Sequence, residues 1–209
     1  MKSLKAAGVE LAIPLVQIRI LHETTRKLPS FKEKLAGIGL HPLLPQRLDT
    51  LQVNLGKVCN QTCAHCHVDA GPDRTEVMSR ETMSYCLAAI GESDIQTVDL
   101  TGGAPEMNPD FQWFVKELFK LGTKILIRSN LTILTTNAKY RRFPEFFSDH
   151  GVTVISSLPC YTAENTDSQR GTGVFDRSIE ALQMLNRVGY GQERSNLELH
   201  LVHNPLGPF

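Results

Sequence analysis

Three thiols stand within eight residues of one another, Cys59, Cys63 and Cys66, in the string Cys59-Asn60-Gln61-Thr62-Cys63-Ala64-His65-Cys66. Thiolates at C-x₃-C-x₂-C spacing on one loop can converge on a single inorganic centre. An iron–sulfur cluster normally takes four cysteines. Three therefore leave one iron of a [4Fe–4S] cube open to another ligand, as an open position marks a catalytic metal site. Two rivals fit part of the string. Cys63-Ala64-His65-Cys66-His67 matches the C-x-x-C-H pattern of haem attachment, but that reading idles Cys59, needs an export signal that is not evident and offers no clear distal ligand. A zinc site built from the three thiols and His65 or His67 is chemically possible, although zinc modules usually bring a second close pair of ligands and none follows. Of the other two cysteines, Cys86 lies on the apolar face of a helix and reads as core. Cys160, in Leu158-Pro159-Cys160-Tyr161 at a strand end, fits a buried or a substrate-facing thiol equally well.

The elements around the thiols follow one pattern. Residues 51–55 alternate as a strand and run straight into the cysteine loop. Ser79 caps a helix whose Met83, Cys86, Leu87 and Ile90 fall on one side, with Gly91 as its stop. A second strand over 95–100 empties into Thr101-Gly102-Gly103. Asn108-Pro109 opens an amphipathic helix carrying Phe111, Phe114, Val115, Leu118 and Phe119 and ending at Gly122. Strands over 124–128, 152–156 and 197–202 alternate with a short helix over 144–150 and a longer one over 175–188, the latter with Phe175, Ile179, Leu182 and Leu185 inward. Alternation of this kind predicts a parallel α/β architecture. Polar groups gather where its strands end: Gly102, Gly103 and Glu106 after the second strand, Asn130 after the third, Ser157 and then Arg170 after the fourth, Asn204-Pro205 after the fifth. Strand ends are where parallel α/β folds bind ligands.

Ahead of this core, residues 1–47 read as an N-terminal extension and linker. Residues 24–40 predict one helix with Phe31, Leu35 and Ile38 on one side, followed by a linker from Pro42 to Pro45; the core is assigned to 48–209. The 209 residues are 41% hydrophobic and 21% charged with zero formal net charge, an ordinary globular composition. No basic field is present to draw nucleic acid or an anionic membrane. No stretch reaches the roughly 20 apolar residues of a membrane span. Clustered rather than paired cysteines suit a reducing compartment. The expectation is a cytoplasmic protein without nucleic-acid or membrane partners.

The cysteine spacing directly after a strand resembles the signature of radical S-adenosylmethionine (SAM) enzymes. His65 stands where an aromatic side chain usually precedes the third cysteine. The resemblance implies a [4Fe–4S] cluster on Cys59, Cys63 and Cys66, with SAM's methionine part chelated to the free iron. It implies a partial (β/α)₆ barrel, of which five strands are counted here, so that the barrel is expected to be cut after its fifth strand with a sixth beyond Phe209. Thr101-Gly102-Gly103-Ala104-Pro105-Glu106 resembles the superfamily's Gly-Gly-Glu element at the SAM amino group, with two residues interposed before the glutamate. Asn130 and Ser157 then take polar contacts to SAM, Asn204 places an amide beside it, and Arg170 pairs with its carboxylate.

The wording of the motifs is closer still to one family. Leu51-Gln52-Val53-Asn54-Leu55-Gly56, Cys66-His67-Val68-Asp69-Ala70-Gly71-Pro72, Arg128-Ser129-Asn130-Leu131-Thr132 and Ser157-Leu158-Pro159-Cys160-Tyr161 resemble the arsenosugar-biosynthesis radical SAM proteins over roughly residues 42–209. That family joins the 5′-deoxyadenosyl group of SAM to a dimethylated arsenic species. The resemblance implies such a methylated arsenic substrate, an electron donor such as a flavodoxin or ferredoxin, and a catalytic role for Cys160 in holding arsenic. The family's cysteine-rich C-terminal region has no counterpart in these residues. A radical SAM enzyme acting on a peptide or small metabolite, and a non-catalytic zinc or electron-carrier protein, are the alternatives.

Overall fold

The structure, a computed structural model, describes residues 1–44 and 46–204. Pro45, expected to close the linker, and residues 205–209, with the expected Pro205 and the approach to a sixth strand, lie outside the described residues. Among the described residues there are five strands: β1 (Thr50–Asn54), β2 (Thr97–Thr101), β3 (Lys124–Ser129), β4 (Thr153–Ser157) and β5 (Leu199–Val202). The helices are α1 (Pro14–Thr25), α2 (Phe31–Gly37), α3 (Arg80–Gly91), α4 (Phe111–Lys120), α5 (Phe143–Asp149), α6 (Ala163–Arg170) and α7 (Val174–Arg187). Every strand pairs in parallel with its sequence neighbour, giving the order β1-β2-β3-β4-β5. A sheet wound in one direction with no reversal of order is the plan of a barrel wall, here a partial one.

One face of that wall folds the protein. Val53, Val98, Leu100, Ile125, Ile127 and Val154 are buried on it, against Met83 and Ile90 of α3, Phe111, Phe114 and Leu118 of α4, Phe143 and Phe147 of α5, and Leu185 of α7. The phenyl rings of Phe111, Phe143 and Phe147 meet at 5.6–6.3 Å in tilted and edge-on contacts, the arrangement aromatic quadrupoles favour. Residues of the opposite parity, Gln52, Asp99 and Arg128, lie on the concave face. There the Gln52 amide and the Arg128 guanidinium both donate to the Asp99 carboxylate, at 2.8–3.0 Å.

Two helical expectations are corrected. The single helix expected over residues 24–40 is two helices. α1 ends at Thr25, and α2 starts only after Ser30, whose extended backbone and reciprocal bonds with Glu33 form a capping box. Pro29 sits just ahead of that cap, where it disfavours helical backbone in the residue before it. Phe31 and Ile38 are exposed rather than covered. In α7 the buried stripe is Val174, Ser178, Ala181, Met184 and Leu185; Phe175, Ile179 and Leu182 are only half-buried. The start of the helix sets this rotation. Asp167 accepts the backbone N–H groups of Gly173 and Phe175 at 2.6 and 2.9 Å, and Gly173 takes φ 74° at the cap.

Candidate functional site

The cysteine loop is a long excursion between β1 and α3, closed at its base by backbone. Lys57 N–H donates to Glu76 O at 2.8 Å, Gly71 N–H to Lys57 O at 3.1 Å and Met78 N–H to Leu55 O at 3.1 Å. Glycine is required at two contacts with the next strand end. A Cβ at Gly102 would stand 2.6 Å from Gly56 O, and one at Gly103 would stand 2.4 Å from Val58 O. Through these close approaches Gly103 and Ala104 donate N–H bonds of 2.9 Å to Gly56 and Val58. The glycines thus brace the cysteine loop, a role additional to any backbone approach to a ligand.

Between the loop and the strand ends lies a cavity of about 240 Å³. Cys59, Cys63 and Cys66 form one wall; Gly102, Gly103, Asn130, Ser157, Arg170 and Asn204 contribute to the others. Burial pushes the Cys59 thiol up to about 11, with Cys63 and Cys66 nearby adding to the rise. A sulfur in this place becomes a thiolate only with a cationic centre beside it. Hydrogen-bond donors for such a thiolate are already present: Asn130 Nδ2 is 3.5 Å from Cys59 Sγ and Ala70 N–H is 3.2 Å from Cys66 Sγ. The Gln61 amide lies 3.7 Å from Cys63 Sγ through its oxygen, and its buried nitrogen has no partner; turned over, the same amide donates to the sulfur. Among the described residues no three His, Cys, Asp or Glu side chains meet closely enough for one bare ion. A [4Fe–4S] cube spreads three thiolates over three irons, and three soft sulfurs lining one cavity fit that demand.

The far wall suits an anion. Arg170 is buried at the end of α6, with Nη1 donating to Ser157 O and Nε without a partner. α6 is tied to the cysteine loop, since Ala64 N–H donates to Gln169 O at 2.9 Å, and both ends of the buried Gln169 amide are unpartnered. A buried guanidinium with an unused donor is costly unless a ligand acceptor meets it. Burial, together with the positive charge of Arg170, holds His65 below the ordinary imidazole range.

Two expected site residues are placed elsewhere. Glu106 does not line the cavity. It is fully buried behind Ser129, whose hydroxyl donates to Glu106 Oε1 at 2.6 Å, and burial raises its carboxyl to about 7. The interposed Ala104-Pro105 starts a short 3₁₀ turn over Pro105–Met107 that carries the side chain inward. Cys160 also falls outside the lining, although its neighbour Pro159 belongs to it. Its thiol is held below the ordinary range by the Thr162 backbone N–H, then by the Thr162 hydroxyl and the Asn165 amide, which outweigh burial. Asn130 lines the cavity, but its amide is engaged with Asn60 Oδ1 at 2.7 Å, with Thr132 and with the Ile133 N–H. The expectations missed Gln61 and Arg128, which line the cavity, and α6, which carries Arg170 to it and holds the buried Gln169; the string Ala163-Glu164-Asn165-Thr166-Asp167-Ser168-Gln169-Arg170 has no large apolar residue to reveal a helix.

Comparison with known proteins agrees with this geometry. A probable GTP 3′,8-cyclase of Saccharolobus islandicus is 27% identical over 143 residues, covering 68% of this chain and 45% of that protein. The mycofactocin maturase MftC of Mycobacterium tuberculosis is 28% identical over 132 residues, covering 63% of this chain and 33% of that protein. The chain thus spans less than half the length of these relatives. The fold is that of Streptococcus suis SuiB bound to S-adenosylmethionine, at TM-score 0.57 and 17% identity over 90% of this chain and 48% of that one. Residues 53–204 match the Radical SAM superfamily, whose enzymes work with a [4Fe–4S] cluster and SAM, and the chain belongs to it.

Proposed function

We propose that Cys59, Cys63 and Cys66 hold the cluster, that Arg170 receives the SAM carboxylate, and that the chain serves to join the deoxyadenosyl group to a dimethylated arsenic species. The observation that carries the SAM reading is the buried, unpartnered Nε of Arg170 across one cavity from three cysteines. When bound, cluster and SAM supply one-electron cleavage of a sulfur–carbon bond and so a 5′-deoxyadenosyl radical. The chain's own residues do the positioning. Asn130, Ala70 and Gln61 offer donors to the thiolates, Ser157 O orients Arg170, and Gly102 and Gly103 keep the cysteine loop against the strand ends. The arsenic substrate rests on the motif strings and on Cys160. A thiol held below its ordinary range is a soft donor suited to trivalent arsenic, and it adjoins the cavity through Pro159. A flavodoxin or ferredoxin as electron donor belongs to the same proposal, and a cytoplasmic setting fits it. Among the described residues no helix is long and apolar enough to cross a membrane.

The relatives favour a second reading, modification of a peptide or small metabolite: one is named a maturase and one a cyclase. Anaerobic reconstitution of the full chain with iron and sulfide, then SAM, reductant and dimethylarsenite, tests both. Uptake of about one cubane and an arsenic-bearing nucleoside detected by mass spectrometry are expected. Free 5′-deoxyadenosine without that nucleoside transfers the assignment to the second reading. Zinc retained in place of iron and sulfide sinks both.

A further inference from the structure

Two segments meet at the returning limb of the cysteine loop. One is the N-terminal arm. Ser3 is 1% exposed, its N–H and hydroxyl donating to the two Asp73 oxygens at 2.8 and 3.1 Å, and Lys5 N–H donates to Asp69 Oδ1 at 3.0 Å. The other is the loop's returning limb, where Arg74 Nη1 pairs with Asp69 Oδ2 at 2.7 Å. Asp69 is therefore gripped on both carboxylate oxygens. Its backbone sits at φ 52°, a left-handed conformation that residues with side chains seldom adopt, although aspartate and asparagine tolerate it better than most. The next backbone N–H, that of Ala70, donates to Cys66 Sγ at 3.2 Å. Strained backbone persists only where its surroundings over-determine it, and here the Lys5 N–H and the Arg74 guanidinium, from two segments, grip the Asp69 carboxylate.

We infer that Asp69 is a positioning residue for the cluster: gripped by Arg74 and the N-terminal arm, it holds the left-handed turn that aims the Ala70 N–H at the Cys66 sulfur. The inference rests on the proposed cluster on Cys59, Cys63 and Cys66. Hydrogen bonds to the cysteine sulfurs are one of the levers that set a cluster's reduction potential. A donor at a thiolate favours the more negatively charged, reduced form, so this bond makes the cluster easier to reduce. The arm thereby contributes to electron transfer without touching the cavity.

The test is an EPR-monitored redox titration of the reconstituted full chain, compared with Asp69→Ala, Asp69→Asn and Arg74→Gln. Asp69→Ala gives up both grips and disfavours the turn. Its reduced-to-oxidised ratio at a fixed poise is expected to fall about tenfold, 59 mV for a one-electron couple. Asp69→Asn keeps an acceptor for Lys5 and tolerates the turn, so it is expected within about twofold of the parent, which separates conformation from charge. Arg74→Gln should fall in the same direction by about threefold, and it decides the matter if Asp69→Ala takes up no cluster. Midpoints of Asp69→Ala and Arg74→Gln equal to the parent's overturn the inference, as does an Asp69→Asn shift as large as that of Asp69→Ala. A parent chain that takes up no cubane instead overturns the cluster reading beneath it.

Discussion

The two faces of the five-stranded sheet obey different rules. Toward the helices, Val98, Leu100, Ile127 and Val154 are fully buried in a core with apolar residues such as Phe114 and Leu118. Toward the concave side, Gln52, Asp99 and Arg128 form a hydrogen-bonded row, with the Asp99 side chain 6% exposed and that of Arg128 47%. Burying apolar side chains contributes about 1.5–3 kcal/mol each, whereas a desolvated ion pair is often no better for stability than an apolar pair of the same size. The concave polarity thus adds little to folding. The difference teaches that the helix-facing rows determine whether the chain folds, while the concave face and the loops above it are free to serve a ligand.

The largest effect should come from Cys63→Ala. Iron and sulfide uptake is expected to be lost while far-ultraviolet circular dichroism and the urea midpoint stay near the parent's. Co-loss of fold and cluster would break the separation between the faces. Phe111→Ala tests the other side. This ring packs against Phe143 and Phe147 with no exposed surface, so its truncation should cost about 3–5 kcal/mol in urea unfolding. The variant that remains folded should still load iron and sulfide in the parent's ratio.

The same division explains what the sequence made legible. The helix-facing rows are periodic, and periodicity revealed α3, α4 and all five strands to within two residues or so. The three thiols were legible because their spacing alone carries chemistry. The short polar α6 was not: its buried residues are Thr166, Gln169 and Arg170, which hydropathy reads as solvent-facing. Nor could spacing show that Gly102 and Gly103 touch the cysteine loop, since those contacts join positions more than forty residues apart. Glu106 looked like a ligand contact because it follows two glycines. The two interposed residues were visible, but the inward turn they build is a tertiary fact.

Glu106 sharpens the comparison because it is polar on the apolar side, sharing Ser129 with the parity of Ile125 and Ile127. Burial raises its carboxyl from 4.5 to about 7. Between those values the folded chain keeps a proton that the unfolded chain has released. The contribution of Glu106 to stability therefore falls as pH rises from 4.5 to about 7 and levels off above it. At about 1.36 kcal/mol per pH unit, this loss is on the order of 3 kcal/mol. Glu106→Gln keeps the acceptor for Ser129 and removes the titration. Urea midpoints at pH 5 and pH 7.5 should converge in the variant relative to the parent, and an unchanged pH dependence would place the burial cost on another group.

Arg170 sets the smallest effect and the most pointed one, because fold and ligand should disagree about it. Its buried guanidinium has one donor in use at Ser157 O and Nε unpartnered, so the unliganded chain bears a desolvation cost for a charge it does not fully satisfy. Arg170→Gln removes that charge, and the unfolding free energy from urea titration should stay within about 1 kcal/mol of the parent's or rise. SAM, in contrast, loses a charge-assisted contact of about 1.5–3 kcal/mol, which is about a ten- to hundredfold weaker dissociation constant. Equilibrium dialysis of SAM against reconstituted parent and variant measures this directly. A variant that binds SAM as tightly as the parent would return Arg170 to the structural side of the division, and the concave cavity would need another anchor for the carboxylate.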